Sequence, residues 1–367
     1  MHEGTFSAER LHLARQRRGY NKTKLANLIG VTAPTVTAYE RAVREPPPGM
    51  VAVLSEKLNF PVEFFYTEMG DVVPLEAASF RALSRMSASR RDAALASGTL
   101  CVELDKWIAE RFHLPNPDMP DFDLRFTDPR GAAAQLRSAW GLGSAPITDV
   151  LRTIELRGVR VFALAAECKE VDAFSFWSDE TETPYIIVGT HKTAERQVFD
   201  LAHELGHLVL HRNHGEPRGK PEEREADQFA SSFLMPRDDL IVAAPRSPTF
   251  NDLVAAKHRW KVSVAALAYR MHEVDLMTDW AYHRFNVQLS RMGRTEEPNP
   301  LPREQSQVLT KVLAALRQEG TSRADIAAQL RIYGADLDAL IGRLAPSAIE
   351  GGGEATDSPR PNLRLVV

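Results

Sequence analysis

Apolar side chains in the first 65 residues recur every three to four positions, in short runs typical of amphipathic helices. Two of these runs flank Gly30-Val31-Thr32, the spacing of a helix-turn-helix. A break at Pro46-Pro47-Pro48-Gly49 precedes the last run. The pattern therefore predicts a compact all-α unit over residues 5–67.

The spacing of apolar side chains changes in the middle of the chain. A helical pattern over residues 68–114 predicts a connector, and three prolines between residues 115 and 120 interrupt it. Beyond them the pattern predicts both helices and strands. The predicted helices cover 132–140, 147–157, 193–212 and 221–234, and the predicted strands cover 159–164, 174–177 and 185–188, the last two as an antiparallel pair. The predicted fold class is α+β, mostly helical.

A separate helical unit is predicted over residues 303–345, and a disordered tail over residues 346–367, where large apolar side chains are few. Within this unit, residues 321–330 resemble a second helix-turn-helix. A docking or dimerisation bundle explains the same pattern equally well, because acidic side chains offset the basic ones along the unit. Both alternatives stay open.

Composition sets limits on the class of protein. The 367 residues are enough for two or three domains, and the net charge of -4 hides an excess of five basic side chains in the first 44 residues. No run of about 18 apolar residues and no signal peptide is found, so we expect a cytoplasmic protein without membrane contact. Cys101 and Cys168 are too few for a disulfide framework or a cysteine-rich zinc site, and we expect both to be buried.

The strongest chemical signal is His203-Glu204-Leu205-Gly206-His207, within a predicted helix. Histidines four positions apart share a helix face, so both imidazoles can reach one zinc ion. Glu204 is placed to accept a proton from a water molecule on that ion. We predict His203 and His207 as ligands of one Zn²⁺ and Glu204 as the general base.

The next helix carries the acidic residues that can complete the site: Glu222, Glu223, Glu225 and Asp227. Glu223 and Asp227 share a face, so we predict Glu223 as third ligand and Asp227 as hydrogen-bond partner of a ligating histidine. Glu225 is the second choice for the ligand. The alternative is that these carboxylates form a solvated helix face.

His211 continues the four-residue spacing, but eight residues of helix rise about 12 Å, too far for His203 and His211 to share one ion. We interpret His211 as a helix-end residue, and a role at the mouth of the site is the alternative.

Three blocks in this order resemble the ImmA/IrrE family of metallopeptidases, over about residues 130–275; they begin at Glu195, Glu223 and Phe233 and end at His207, Ala230 and Pro236. The resemblance implies a zincin-like, thermolysin-like α+β core, which we delimit to residues 115–295. It also implies His203, His207 and Glu223 as ligands and Glu204 as base. A strand edge would present the substrate, and residues 185–188 are our candidate.

The group that would stabilise the oxyanion is left open among Tyr185, His191, Arg196 and His214, since no spacing ranks them.

Residues 25–41 resemble the Xre type of phage-repressor DNA-binding domain. Docking geometry then predicts base-edge contacts and phosphate contacts. The first set is Ala33, Pro34, Thr35 and Thr37, and the second is Lys22, Lys24, Arg41 and Arg44. The first set lacks a bidentate reader of adenine or guanine, so we expect DNA binding with weak base specificity. The alternative is a bundle used only to form a homodimer or to dock a partner.

The preferred hypothesis is a DNA-binding transcriptional regulator with a zinc-dependent endopeptidase domain. The resemblance implies that its substrate is a regulatory protein, either a repressor or a toxin partner. The rival is a non-hydrolytic transcriptional repressor or antitoxin, whose peptidase-like domain senses a ligand or binds a partner. An intact Glu204 favours the enzyme, since a purely structural site does not need a glutamate between the histidines.

Overall fold

The computed structural model describes residues 4–73, 87–120, 128–165, 168, 171–178, 180–212, 220–292 and 297–346. The predicted tail, apart from residue 346, lies outside these ranges. Helices predominate around one small sheet, which confirms the mostly helical α+β class. In the described part of the chain, every helix is too short or too polar to cross a membrane.

The N-terminal unit is a bundle of short helices, as the pattern predicts. Its helices are α1 (Ala8–Arg17), α2 (Lys22–Ile29), α3 (Ala33–Glu40), α4 (Pro48–Leu58) and a 3-10 turn (Val62–Tyr66). Ser7, Asn21 and Thr32 cap the first three through side-chain oxygens. Gly30 has a φ of 71°, so the tight turn between α2 and α3 needs the left-handed region that glycine adopts freely.

The helix α5 (Ala88–Ala109) joins this unit to the sheet. It packs against α1 on one side, and its Gly98 lies against the ring of Phe174 on the other. An added Cβ at Gly98 would lie 3.1 Å from that ring, so a glycine allows the close approach. Cys101 is buried in this helix, and Cys168 is buried near the sheet.

The central sheet has three strands: β1 (Arg160–Leu164), β2 (Ala173–Ser178) and β3 (Thr183–Gly189). Their order is β1-β3-β2, with β1 parallel and β2 antiparallel to β3. The predicted antiparallel pair is therefore confirmed. However, β3 lies in the centre, and β2 is an edge strand of the sheet as far as the chain is described.

Helices cover the sheet and extend from it. Two short ones precede β1, α6 (Pro129–Ala139) and α7 (Val150–Leu156). Two longer ones follow β3, α8 (Ala194–Leu210) and α9 (Lys220–Leu234). The helices after them are α10 (Arg237–Ala243), α11 (Phe250–Trp260), α12 (Val264–Glu273) and α13 (Asp279–Met292). Of these, α8 packs directly on β2 and β3, and α9 packs on α8.

The C-terminal unit consists of α14 (Gln307–Gln318), α15 (Arg323–Gln329), α16 (Gly334–Ile341) and a 3-10 turn (Gly342–Leu344). It packs against β1, where an added Cβ at Gly342 would lie 2.5 Å from Ala163. Glu155 of α7 accepts hydrogen bonds from the N–H groups of Gln307 and Val308 at the start of α14. The unit is therefore bound to the core by a buried carboxylate at a helix N-terminus.

Candidate metal centre

The helix α8 presents two faces with different tasks. Leu201, Leu205 and Leu208 are buried, and they give the helix the apolar surface that packs on the sheet. Thr193 caps its first turn by accepting a hydrogen bond from the N–H of Arg196. The imidazoles of His203 and His207, one turn apart, meet a carboxylate from α9.

Three side chains converge between α8 and α9. The Nε2 atoms of His203 and His207 are 3.2 Å apart. The carboxylate of Glu223 lies 3.5 Å from each of them, through Oε2 to His203 and Oε1 to His207. Among the residues described, this is the group whose donor atoms could hold a metal ion, all within 4.8 Å of one another.

The donor set and its spacing fit zinc. Ligand atoms about 2.0–2.1 Å from a tetrahedral zinc ion are about 3.3–3.4 Å apart. The three distances of 3.2, 3.5 and 3.5 Å are close to that value. Two imidazoles and one carboxylate leave a fourth position open, as in hydrolytic zinc sites. The residues present therefore fit a zinc ion with one exchangeable position.

The outer nitrogens of both histidines have partners. Asp227 Oδ1 lies 2.9 Å from His203 Nδ1, where the spacing along α9 places it. His211 Nδ1 lies 2.9 Å from His207 Nδ1, and Glu225 Oε2 lies 2.9 Å from His211 Nε2. His211 does cap the end of α8, but it is buried and bonded to His207, which sequence reasoning missed. Glu225 contacts His211 in this arrangement.

Glu204 is buried on the side of α8 that faces β2. The Oγ of Ser175 in β2 donates a hydrogen bond of 2.7 Å to Glu204 Oε2. Ser175 was also missed. The available signal was a hydroxyl between Phe174 and Phe176, in a predicted strand over residues 174–177 that is otherwise apolar.

The histidines and carboxylates of the cluster shift one another's pKa values. Burial would lower the pKa of His203, but hydrogen bonds to Asp227 and Glu223 raise it to about 10. Burial would raise the pKa of Glu223, whereas the two histidines lower it well below its usual range. A zinc ion would bind His203 as a neutral imidazole and Glu223 as a carboxylate, so its binding would release protons.

The four oxyanion candidates separate in the structure. The structure excludes Tyr185 as the oxyanion-stabilising group. Its OH donates a hydrogen bond of 2.8 Å to Asp105 of α5, and its ring stacks on Phe176, on the sheet face opposite Ser175. Arg196 is half-exposed and binds Asp172 and Asp200. His191 is exposed near Gly189. His214 lies outside the described residues.

The expectation that residues 185–188 form a free strand edge is also wrong. Residues 160–164 pair with one side of β3 and residues 173–178 with the other. A hairpin pattern shows that β2 and β3 are neighbours, but it does not show on which side β1 inserts. The antiparallel edge beside α8 is therefore β2.

The residues predicted to contact DNA lie on α2, on α3 and in the segment that follows α3. Pro34, Lys24, Arg41 and Arg44 are exposed, whereas Lys22 is partly buried and lies 3.6 Å from Glu40.

Two of the predicted base-edge residues have hydroxyls with partners inside the unit. The hydroxyl of Thr35 is 2.9 Å from that of Thr32, and the hydroxyl of Thr37 donates to the carbonyl of Ala33. Such local hydrogen bonds compete with contacts from the same hydroxyls to other groups.

Comparison with known protein families places both parts of the chain. Residues 154–272 match the family model of the IrrE N-terminal-like domain of the M78 peptidases, and residues 11–65 match a helix-turn-helix family model. No curated protein matches the chain. The resemblance predicted from the sequence is thereby confirmed: the chain is a DNA-binding regulator with a domain of the IrrE-like peptidase family, preceded by a helix-turn-helix of the Xre type.

Proposed function

We propose that this regulator is a zinc-dependent endopeptidase that cleaves another regulatory protein, a repressor or a toxin partner. The observation that carries the proposal is the convergence of His203, His207 and Glu223 at tetrahedral spacing, with Glu204 buried beside them on the same helix. Zinc in this position would polarise the scissile carbonyl and acidify a water molecule. The other tasks belong to the residues of the chain.

Glu204 would accept the proton of the attacking water and deliver it to the leaving amine. Ser175 orients the carboxylate by donating a hydrogen bond of 2.7 Å to Glu204 Oε2. Glu204 is only 4% exposed, so the packed side chains around it hold the carboxylate of the proposed base in one orientation.

The edge strand β2 would bind the substrate. Its side chains alternate, and Ser175 and Trp177 point to α8, so the strand runs beside the proposed centre. Within the described ranges, β2 pairs with β3 on one side only. An extended peptide pairing with this edge gains main-chain hydrogen bonds. A cavity of about 150 Å³ at the end of β2, lined by residues that include Val73, Val102 and Phe176, can take a substrate side chain.

The rival is a non-hydrolytic regulator whose domain senses a ligand or binds a partner. The substitution Glu204→Gln separates the two, because the amide keeps the size of the side chain and removes the base. We expect the full-length wild type to cut a proteome-derived peptide library, detected as new termini by mass spectrometry. Glu204→Gln should lose at least 100-fold in cleavage rate while binding the same zinc.

Equal cleavage by both proteins would show a contaminating protease and sink the enzyme proposal. Cleavage by neither, with zinc bound by both, would favour the sensor.

A further inference from the structure

His211 is the first residue after α8 and is 2% exposed. Its Nδ1 is 2.9 Å from His207 Nδ1, and its Nε2 is 2.9 Å from Glu225 Oε2. The three side chains form a row that starts at the proposed metal centre and ends at the half-exposed carboxylate of Glu225. The reaction described above gives His211 and Glu225 no role.

The hydrogen positions in this row follow from the direction of the metal. His207 Nε2 faces His203 and Glu223, so it is the nitrogen that would bind the ion and cannot carry a hydrogen. His207 Nδ1 must then carry the hydrogen and donate it to His211 Nδ1. His211 in turn carries its own hydrogen on Nε2 and donates it to Glu225. One tautomer of each ring satisfies both contacts.

We propose that His211 and Glu225 position His207 for the metal, with the neutral imidazole of His211 as the link between the ligand and the carboxylate. This inference rests on the proposed metal centre and not on hydrolysis. Asp227 does the corresponding work for His203 in a single step, through a contact of 2.9 Å. Each ligating histidine thus has its outer nitrogen directed to a carboxylate, one directly and one through a second histidine.

Burial explains why His203 contacts a carboxylate directly and His207 does so through His211. His207 is fully buried, while His203 is 15% exposed at its side chain and can meet a carboxylate at the surface. Bringing a carboxylate into contact with His207 Nδ1 would require burying that charge. The link through His211 leaves the charge of Glu225 in a side chain that is 48% exposed.

The experiment measures zinc affinity of the full-length protein by competition with a chromophoric chelator. His211→Leu keeps the volume and removes both contacts, so we expect zinc affinity to fall about 10- to 100-fold. His211→Gln can accept from His207 and donate to Glu225, so it should stay within about threefold of the wild type. A similar loss in both variants, or no loss in His211→Leu, would overturn the proposal.

Glu225→Ala covers the case in which His211→Leu fails to fold, since Glu225 is half-exposed and its loss leaves no cavity. We expect about a 10-fold lower zinc affinity and a changed visible spectrum of the cobalt-loaded protein. His283→Leu, a change at an exposed histidine of α13, is the matched control and should change neither. Unchanged affinity in Glu225→Ala contradicts the proposal, whereas a wild type without zinc contradicts the metal centre itself.

Discussion

Glu40, at the end of α3, is a buried charge that joins three elements of the DNA-binding unit. Its side chain is 2% exposed and pairs with Arg15 of α1, with His12 at 3.2 Å and with Lys22 at 3.6 Å. Burial would raise the pKa of Glu40, but hydrogen bonds from His12 and Arg15 lower it to about 2. The ionised carboxylate therefore stabilises the fold.

This depressed pKa predicts a pH dependence. The unfolded carboxyl has a pKa of 4.5, so the stabilisation is fully present above that pH and is lost as pH falls towards 2. It amounts to about 3 kcal/mol at pH 7. Glu40→Gln should reduce hydrogen-exchange protection of α1 and α3 at pH 7, with a gap to the wild type that narrows below pH 4.5. A gap that stays constant from pH 7 to pH 3 would contradict this assignment.

At the same scale, the sequence predicts the contacts that depend on local geometry. His203, Glu204 and His207 could be found because helix spacing alone fixes their relation. The contact of Ser175 with Glu204 joins residues 29 positions apart on a strand and a helix, and no spacing rule reaches it. Helix rise excludes His211 as a ligand of the same ion as His203, but it does not exclude a contact one turn away with His207, which the structure contains.

Among the elements, the approach of α9 to α8 decides whether Glu223 reaches the histidines. Gly206 lies at the crossing, where an added Cβ would be 3.0 Å from the ring of Phe229 and 3.3 Å from the Cα of Ala226. The small residue in α8 thus lets α9 come close enough for its carboxylate to share the cluster.

Gly206→Val should push the two helices apart. We expect a lower melting temperature, because overpacking costs about 1–3 kcal/mol, and a loss of zinc affinity as Glu223 moves away. Gly49→Val in α4 is the matched control, since a Cβ there meets no atom within 4 Å and only helix propensity changes. Equal effects of both substitutions on zinc affinity would show that the crossing does not set the site.

The elements themselves were predictable and their arrangement only partly so. The predicted helix 193–212 and strand 185–188 differ from α8 and β3 by two residues or fewer at each end. The order of the sheet was not predictable. β1 pairs with β3 although β2 lies between them in the chain, and a local hydrophobic pattern does not show which strand is a parallel partner.

In the whole molecule, the C-terminal unit contacts the DNA-binding unit through the buried carboxylate of Asp336 and through Arg331, which donates a hydrogen bond of 2.7 Å to the hydroxyl of Thr67. Asp336 of α16 accepts hydrogen bonds of 2.8 and 2.6 Å from Arg18, the residue after α1, and pairs with Arg17 of α1 at 3.1 Å. Asp336 and Arg17 are each 2% exposed. With Glu155 holding the start of α14, the C-terminal unit bridges the DNA-binding unit and the peptidase core.

Removing Asp336 should loosen this bridge. Asp336→Ala leaves two arginines without their carboxylate, one of them fully buried, so we expect a loss of about 3 kcal/mol and faster hydrogen exchange in α1. Asp338→Ala is the matched control: its pair with Arg323 is largely exposed and should contribute less than about 1 kcal/mol. If both variants unfold alike, the C-terminal unit does not hold the DNA-binding unit.

The division of charge along the chain was readable from the sequence, and the bridge was not. The first 44 residues carry the basic excess that suits DNA. Two of those basic residues, Arg17 and Arg18, instead bind Asp336, which follows 318 residues after Arg18. Counting charges shows where basic residues are, but it does not separate those that face a partner from those used within the fold.

The most direct test of the account is the zinc content of the full-length protein, purified without a histidine tag and measured by inductively coupled plasma mass spectrometry. The account predicts one zinc ion per chain in the wild type and in Glu204→Gln, and almost none in His203→Ala. A wild type without zinc, or a His203→Ala variant that retains it, would contradict the metal centre on which the proposed peptidase depends.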